Sequence, residues 1–223
     1  VVMVVGSERG LCGGYNKMLV GCLQAAMRER YAAGATVEIM GLGSRAIREL
    51  RSAGYVLSWT GTLSMTAVPN YASALAAVTE LLRRYEDYAI DAVDVIYNSD
   101  RGTGTYEPTV TRLIPTELPV GCGAGADSIP GGDIERWRDV IVETDAASLY
   151  DRIIEQWTAN AYYRILLDAA STEHAARYQL MESATQNADA LSAELMLAIQ
   201  SARRQAITRE MQELAVGAGL LGG

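Results

Sequence analysis

The last part of the chain constrains the fold more than any other feature of the sequence. Residues 170–214 contain no proline and no glycine, so nothing in this run is expected to break a helix. Along it, mostly small or apolar residues recur at alternating steps of four and three, namely Ala170, His174, Arg177, Met181, Ala184, Ala188, Leu191, Leu195, Ala198 and Ala202. This 3.5-residue repeat predicts a helix roughly 65 Å long, with one narrow stripe that packs against a second helix.

No other part of the sequence offers a helix that could cover this stripe. The next longest helical pattern, residues 70–86, is less than half as long. We therefore predict that the stripe packs against a helix outside this sequence. We call the part of the stripe beyond residue 178 the seam. It consists of Met181, Ala184, Ala188, Leu191, Leu195, Ala198 and Ala202.

The earlier part of the chain has the pattern of an α/β domain. Apolar runs that predict strands lie at 1–5, 36–40, 55–59, 93–97 and 110–114, and helical patterns lie at 15–31, 44–53 and 70–86. This alternation predicts a Rossmann-like, mostly parallel sheet with helices on its faces, and Ser44 and Asn70 are expected to cap two of the helices. We predict an α/β domain over 1–143, with a loop at 121–132, then the long helix over 144–214 and a flexible glycine-rich tail over 215–223.

Composition disfavours several functions. The net charge is -8, whereas nucleic-acid binding needs a basic surface, and no run approaches the ~20 apolar residues of a membrane span. Three cysteines at unrelated spacings (Cys12, Cys22 and Cys122) and a single histidine do not predict a metal site. Asp91, Asp94 and Asp100 flank a strand and are expected to face water.

A glycine-rich turn follows the first strand, where phosphate-binding loops are found. It lacks both the Gly-Lys-Ser/Thr ending and the G-x-G-x-x-G spacing, and Glu8 would repel a phosphate. We therefore expect no nucleotide or other cofactor there, and we interpret the turn as a structural and docking element. We call its residues Arg9, Gly10, Leu11, Cys12, Gly13 and Gly14 the glycine loop.

Several motifs together resemble the gamma subunit of F-type ATP synthases. The motif E-H-A-A-R at 173–177 resembles part of the C-terminal helix of that family. The residues that follow it, up to Glu210, resemble the rest of that helix without a gap. R-G-L-C-G-G-Y-N at 9–16 resembles the family's G-L-C-G-G-x-N turn. P-T-V-T at 108–111 and L-I-P at 113–115 resemble a strand in its middle. The motifs occur in the family's order and near both ends of the chain.

The resemblance implies a fold and a set of partners. In that family the long helix forms an antiparallel coiled coil with an N-terminal helix, which is missing from this sequence, and stands inside a ring of three alpha and three beta subunits. The epsilon subunit and the membrane c-ring are further partners. The implied function is that of a rotor, without a catalytic site of its own, which couples ion movement to ATP synthesis or hydrolysis. The implied location is peripheral, on the cytoplasmic face of a bacterial plasma membrane or on a thylakoid membrane.

The resemblance also implies two contact regions. The glycine loop faces the other rotor subunits and the stator ring, and the end of the long helix contacts a beta-subunit loop through Arg203, Arg204, Gln205, Thr208 and Glu210. The sequence departs from the family at Glu182, where a lysine is usual, and at Arg204, where a glutamine is usual. These departures suit a divergent gamma subunit or one from an alternative F-type complex.

Two other classes of function compete with this interpretation. One is a free-standing α/β binding protein that dimerises through its heptad helix. The other is a small-molecule enzyme with a dinucleotide-type fold, which is less favoured because the sequence lacks phosphate-binding and acid/base signatures.

Overall fold

A five-stranded sheet organises the first part of the computed structural model, which describes residues 1–63, 68–102, 105–116 and 145–218. The strands are β1 (Val2–Val5), β2 (Ile39–Leu42), β3 (Trp59–Gly61), β4 (Val93–Gly102) and β5 (Thr105–Ile114). They lie in the order β3-β2-β1-β4-β5, and only β5 pairs antiparallel with its neighbour. The predicted mostly parallel α/β sheet is therefore confirmed.

Four helices accompany the sheet: α1 (Tyr15–Ala32), α2 (Ser44–Ser52), α3 (Tyr71–Glu86) and α4 (Ala146–Gly217). Asn70 caps α3 as predicted, since its side chain accepts the Ala72 N–H at 2.9 Å. The prediction that Ser44 caps α2 is wrong. Gly43 is the cap residue, and Ser44 is the first residue of the helix. The predicted loop at 121–132, Cys122 and the last residues of the predicted tail lie outside the described residues.

The core lies on both faces of the sheet because successive strand side chains point to opposite sides. Met3 and Val5 of β1 pack with α3 and with the first part of α4, whereas Val2 and Val4 pack with α1 and α2. The sheet is thus covered by helices on both faces. This arrangement places the turn from β1 to α1 at the carboxyl end of a buried central strand.

The long helix α4 belongs to two compact units, Val1–Arg177 and Tyr178–Gly223. In the first unit its buried residues are Thr158, Ala159, Tyr162, Ile165, Leu166, Ala169, Thr172, Glu173 and Ala176. The first positions of the predicted stripe lie beside this buried face, and His174 is exposed. In the second unit, every described residue from 178 to 217 except Ala215 is exposed.

Candidate functional site

The glycine loop presents an apolar side chain in an unusual conformation. Leu11 and Gly13 both have left-handed backbones, with φ of 63° and 59°. This conformation is uncommon at a leucine, yet the Leu11 side chain is 64% exposed and is not held by burial in the core. Contacts elsewhere in the loop must therefore hold the backbone in place.

Ser7 and Asn16 close the base of the loop. The Ser7 N–H donates to Asn16 Oδ1 at 3.0 Å, and Asn16 Nδ2 donates to Ser7 Oγ at 2.8 Å. The buried Cys12 thiol donates to the same hydroxyl oxygen at 3.4 Å. These bonds give the asparagine and the cysteine of the G-L-C-G-G-x-N motif a structural role in closing the turn.

Glu8 places its carboxylate at the N-terminus of α2. Its carboxylate accepts the Ser44 N–H and the Leu63 N–H, each at 3.0 Å, and also the Ser44 hydroxyl. Burial alone would raise the pKa of Glu8, but these hydrogen bonds outweigh it and hold the pKa below its ordinary value. A side chain of the protein therefore supplies the negative charge at the N-terminus of α2.

Two side chains of α4 hold the loop from the other side. The Glu173 carboxylate accepts the Glu8 N–H at 3.3 Å and the Arg9 N–H at 3.2 Å. Arg177 forms an ion pair with Glu173, and its Nε donates to the Gly10 carbonyl oxygen at 3.2 Å. The sequence motif E-H-A-A-R had placed both residues on one helix, but it gave no sign of their partners about 165 residues away.

Three exposed arginines surround the outer side of the loop. Arg9 belongs to the loop, and Arg45 and Arg48 lie on α2. Two open cavities of about 440 and about 340 Å³ lie here, and Gly10, Arg45 and Arg48 line both of them. The surface combines positive charge with the exposed Leu11, within a chain whose net charge is negative.

The seam residues are all exposed in the second unit, as are many apolar residues beside them. Met181, Leu191 and Leu195 lie on the seam, whereas Leu197 and Met211 lie off it and are exposed to a similar or greater extent. Exposed apolar surface of this extent marks an interaction site. It is not confined to one stripe.

The predicted beta-subunit contact residues lie on the same stretch of helix. Arg203, Arg204, Gln205, Thr208 and Glu210 are all exposed, and the Thr208 hydroxyl donates to the Arg204 carbonyl oxygen at 2.9 Å. The side chains of Arg203, Arg204 and Glu210 carry the charges of this stretch. Their contact with a beta subunit stays a prediction.

Comparison with known proteins identifies the family. The sequence profile of the ATP synthase family matches residues 1–221. The ATP synthase gamma chain of Verminephrobacter eiseniae is 30% identical over 222 residues, which cover 99% of this chain and 73% of that protein. The chain belongs to the gamma-subunit family of F-type ATP synthases. It is a central-stalk rotor subunit. The two competing classes, a free-standing binding protein and a small-molecule enzyme, therefore do not apply.

Other comparisons agree with this family. The gamma chain of Geotalea daltonii is 29% identical over 218 residues, which cover 98% of this chain and 72% of that protein. A chain of the Euglena gracilis mitochondrial ATP synthase matches the fold with a TM-score of 0.64 at 16% identity, covering 100% of this gamma subunit and 74% of that chain. A chain of the central stalk and c-ring of the Tetrahymena thermophila mitochondrial ATP synthase has a TM-score of 0.59 at 20% identity, covering 82% and 75%.

One sequence expectation about this gamma subunit is wrong. Asp94 does not face water. It is only 4% exposed and pairs with Arg30 and Arg112. Burial raises the pKa of Asp94, but the hydrogen bonds from the two guanidinium groups outweigh it and hold the pKa below its usual value. Asp94 therefore joins α1 to the β4–β5 pair at the opposite end of β4 from the loop.

Within the described ranges of this gamma subunit, we find neither a group of three His, Cys, Asp or Glu residues suited to a metal ion nor a helix long and apolar enough to cross a membrane.

Proposed function

We propose that this gamma subunit turns inside a ring of three alpha and three beta subunits and thereby couples ion movement through a membrane c-ring to the catalytic cycle of the beta subunits. The observation that carries this proposal is the exposure of α4 beyond Tyr178. Apolar side chains are exposed on the seam, at Leu195, and away from it, at Leu197 and Met211. Exposure on several faces suits a shaft that packs against a second helix on one face and against a surrounding ring on the others.

The coupling requires that the shaft interact differently with each beta subunit. A ligand or partner shifts a conformational equilibrium only by its difference in affinity for the two states. The charged ends of Arg203, Arg204 and Glu210 project from one stretch of the helix and make it asymmetric. As the shaft turns, each beta subunit meets this charged stretch in turn, and its catalytic site is biased between open and closed states. The catalytic groups belong to the beta subunits.

The glycine loop supplies a second contact, outside the shaft. Leu11 forms an apolar point beside Arg9, Arg45 and Arg48, with Glu8 and Glu49 also on the walls of the two cavities. Such a surface fits an acidic partner surface with a small apolar depression, because charge complementarity steers association and fixes register. We assign this contact to the neighbouring rotor subunits, including epsilon, and to the stator ring. We further propose that the subunit lies peripherally, at the cytoplasmic face of a bacterial plasma membrane or at a thylakoid membrane.

The shaft contact is tested by Arg203→Ala. Charge-assisted hydrogen bonds contribute roughly 1.5–3 kcal/mol each, so we expect coupled ATP synthesis and steady-state hydrolysis to fall about tenfold, a factor that corresponds to about 1.4 kcal/mol. Arg204→Ala is the matched control and should have a smaller effect, because the family has no arginine at that position. Both side chains are exposed in the chain, so circular dichroism should show unchanged helix content. Unchanged turnover in both reconstituted variants would contradict the contact.

We also expect the isolated chain to bind Mg-ATP with no site tighter than about 10 μM, which corresponds to about 7 kcal/mol of binding free energy. The Glu8 carboxylate already occupies the N-terminus of α2, and it would repel a phosphate there. Isothermal titration measures this directly, with the assembled complex as the positive control. A clear tight site on the isolated chain would refute the expectation that this subunit has no nucleotide site.

A further inference from the structure

Two side chains one turn apart on α4 bind backbone groups of three consecutive residues, 8–10, of the β1–α1 turn. Glu173, which is 7% exposed, accepts the N–H groups of Glu8 and Arg9, one on each carboxylate oxygen. Arg177 donates from Nε to the carbonyl oxygen of Gly10 and pairs with Glu173 through Nη2, while Nη1 lies 3.3 Å from His174 Nδ1. The two residues act as one group because the guanidinium neutralises the buried carboxylate.

We propose that Glu173 and Arg177 form a clamp that fixes the glycine loop to the rotor helix, and that this clamp positions Leu11 and the surrounding arginines for their partner in the ATP synthase. The proposal rests on the proposed function, because it assumes that the loop contacts a partner during rotation. Glu173 and Arg177 are therefore positioning residues. They act through the loop and do not themselves touch a catalytic site.

The loop is held from two sides, which explains how its tip keeps an uncommon backbone. The N–H of Glu8 binds Glu173 of α4, while the side chain of the same residue binds Ser44 of α2 and the Leu63 N–H. Leu11 follows directly after the clamped segment and has φ of 63° while its side chain is exposed. A left-handed backbone at a non-glycine residue persists only where surrounding contacts determine it. The clamp supplies such contacts within two residues of Leu11.

Both charged partners are needed for the clamp. A carboxylate is an acceptor on both oxygens, whereas a glutamine amide has one acceptor and one donor group. Glu173→Gln would therefore place an N–H donor against either the Arg9 or the Glu8 amide. Arg177→Gln would leave the carboxylate in place, but it would remove its neutralising charge and the bond to Gly10. An unpaired buried charge is unfavourable, so either change should loosen the loop.

Hydrogen–deuterium exchange on the complete chain measures whether the clamp exists. We expect the amides in the peptide covering residues 6–14 to exchange at least about tenfold faster in Glu173→Gln and in Arg177→Gln, a change of about 1.4 kcal/mol. Exchange in β1 and β4 should be unchanged. Glu80→Gln is the matched control, because it removes an exposed ion pair with Arg83 on α3 and should alter neither region. Loop exchange equal to that of the control, or faster exchange throughout the chain in both variants, would overturn the clamp.

The positioning role is measured in the assembled ATP synthase, as ions pumped per ATP hydrolysed. We expect this ratio to fall at least about twofold in both clamp variants and to be unchanged in Glu80→Gln. A loosened loop with an unchanged pumping ratio would overturn the positioning role while leaving the rotor function intact. Failure of the proposed function gives a different result, since a complex assembled without this chain would then still couple pumping to hydrolysis.

Discussion

Leu195→Asp is expected to reduce the amount of this gamma subunit recovered in assembled ATP synthase at least about tenfold, whereas Glu194→Ala should leave it nearly unchanged. Leu195 lies on the seam and is 55% exposed in the chain itself. When a second helix covers the seam, an aspartate at this position is buried without a partner, and an unpaired buried charge costs about 3–5 kcal/mol. Glu194 lies one residue off the seam, so Glu194→Ala places no charge against the second helix and should change assembly little.

The measurement is co-expression with tagged alpha and beta subunits, followed by quantification of the gamma subunit that is purified with them. The isolated chain provides the folding control. Both residues are exposed there, so its helix content by circular dichroism should be the same in the two variants. Equal loss of assembly in both variants would show that the seam is assigned to the wrong face of α4.

The long helix was predictable because its signal is local and repeated. Its apolar period and the lack of helix breakers over residues 170–214 are properties of neighbouring residues, and they hold whatever the rest of the chain does. The starts of the short strands were less predictable. β2 was expected at 36–40 and runs Ile39–Leu42, because its limits are set by pairing with β1, where Val2 pairs with Ile39 and Val5 with Leu42. β3 was likewise expected too early in the sequence.

The candidate site was predictable as a location but not as a set of contacts. The glycine loop was found from its glycines and its place after a strand, which are local features. The roles of Glu8, Glu173 and Arg177 depend on residues far along the chain, and the sequence does not indicate which distant peptide groups they reach. The side chain of Asp94 was expected to face water for the same reason. Its partners Arg30 and Arg112 come from other elements and are brought to it only by the fold.

The backbone at Gly43 lies close to the backbone of Gly6 and Ser7 beside the glycine loop, and a side chain at Gly43 would disturb this packing. Gly43→Ala is expected to lower the free energy of unfolding by about 3 kcal/mol or more, well above the ~1 kcal/mol that is typical of a point mutation. Gly43 has φ of 101°, and a Cβ there would lie 2.5 Å from the Gly6 carbonyl oxygen and 2.9 Å from that of Ser7. Both neighbours are backbone, and hydrogen bonds such as Gly6 N–H to the Leu42 carbonyl oxygen at 2.9 Å restrain them.

Gly54→Ala is the matched control for this substitution. Gly54 also has a positive φ, of 88°, but a Cβ there would have nothing within 4 Å. Gly54→Ala should lower the free energy of unfolding only by the cost of a left-handed backbone at an L-residue, about 1–2 kcal/mol. Urea unfolding followed by tryptophan fluorescence gives both values, and their difference measures the extra cost at Gly43, which combines the close backbone contacts with a backbone of φ 101° and ψ 123°. If the two variants lose the same free energy, the backbones of residues 6 and 43 can separate at little cost, and the turn beside the glycine loop is less tightly packed than the distances indicate.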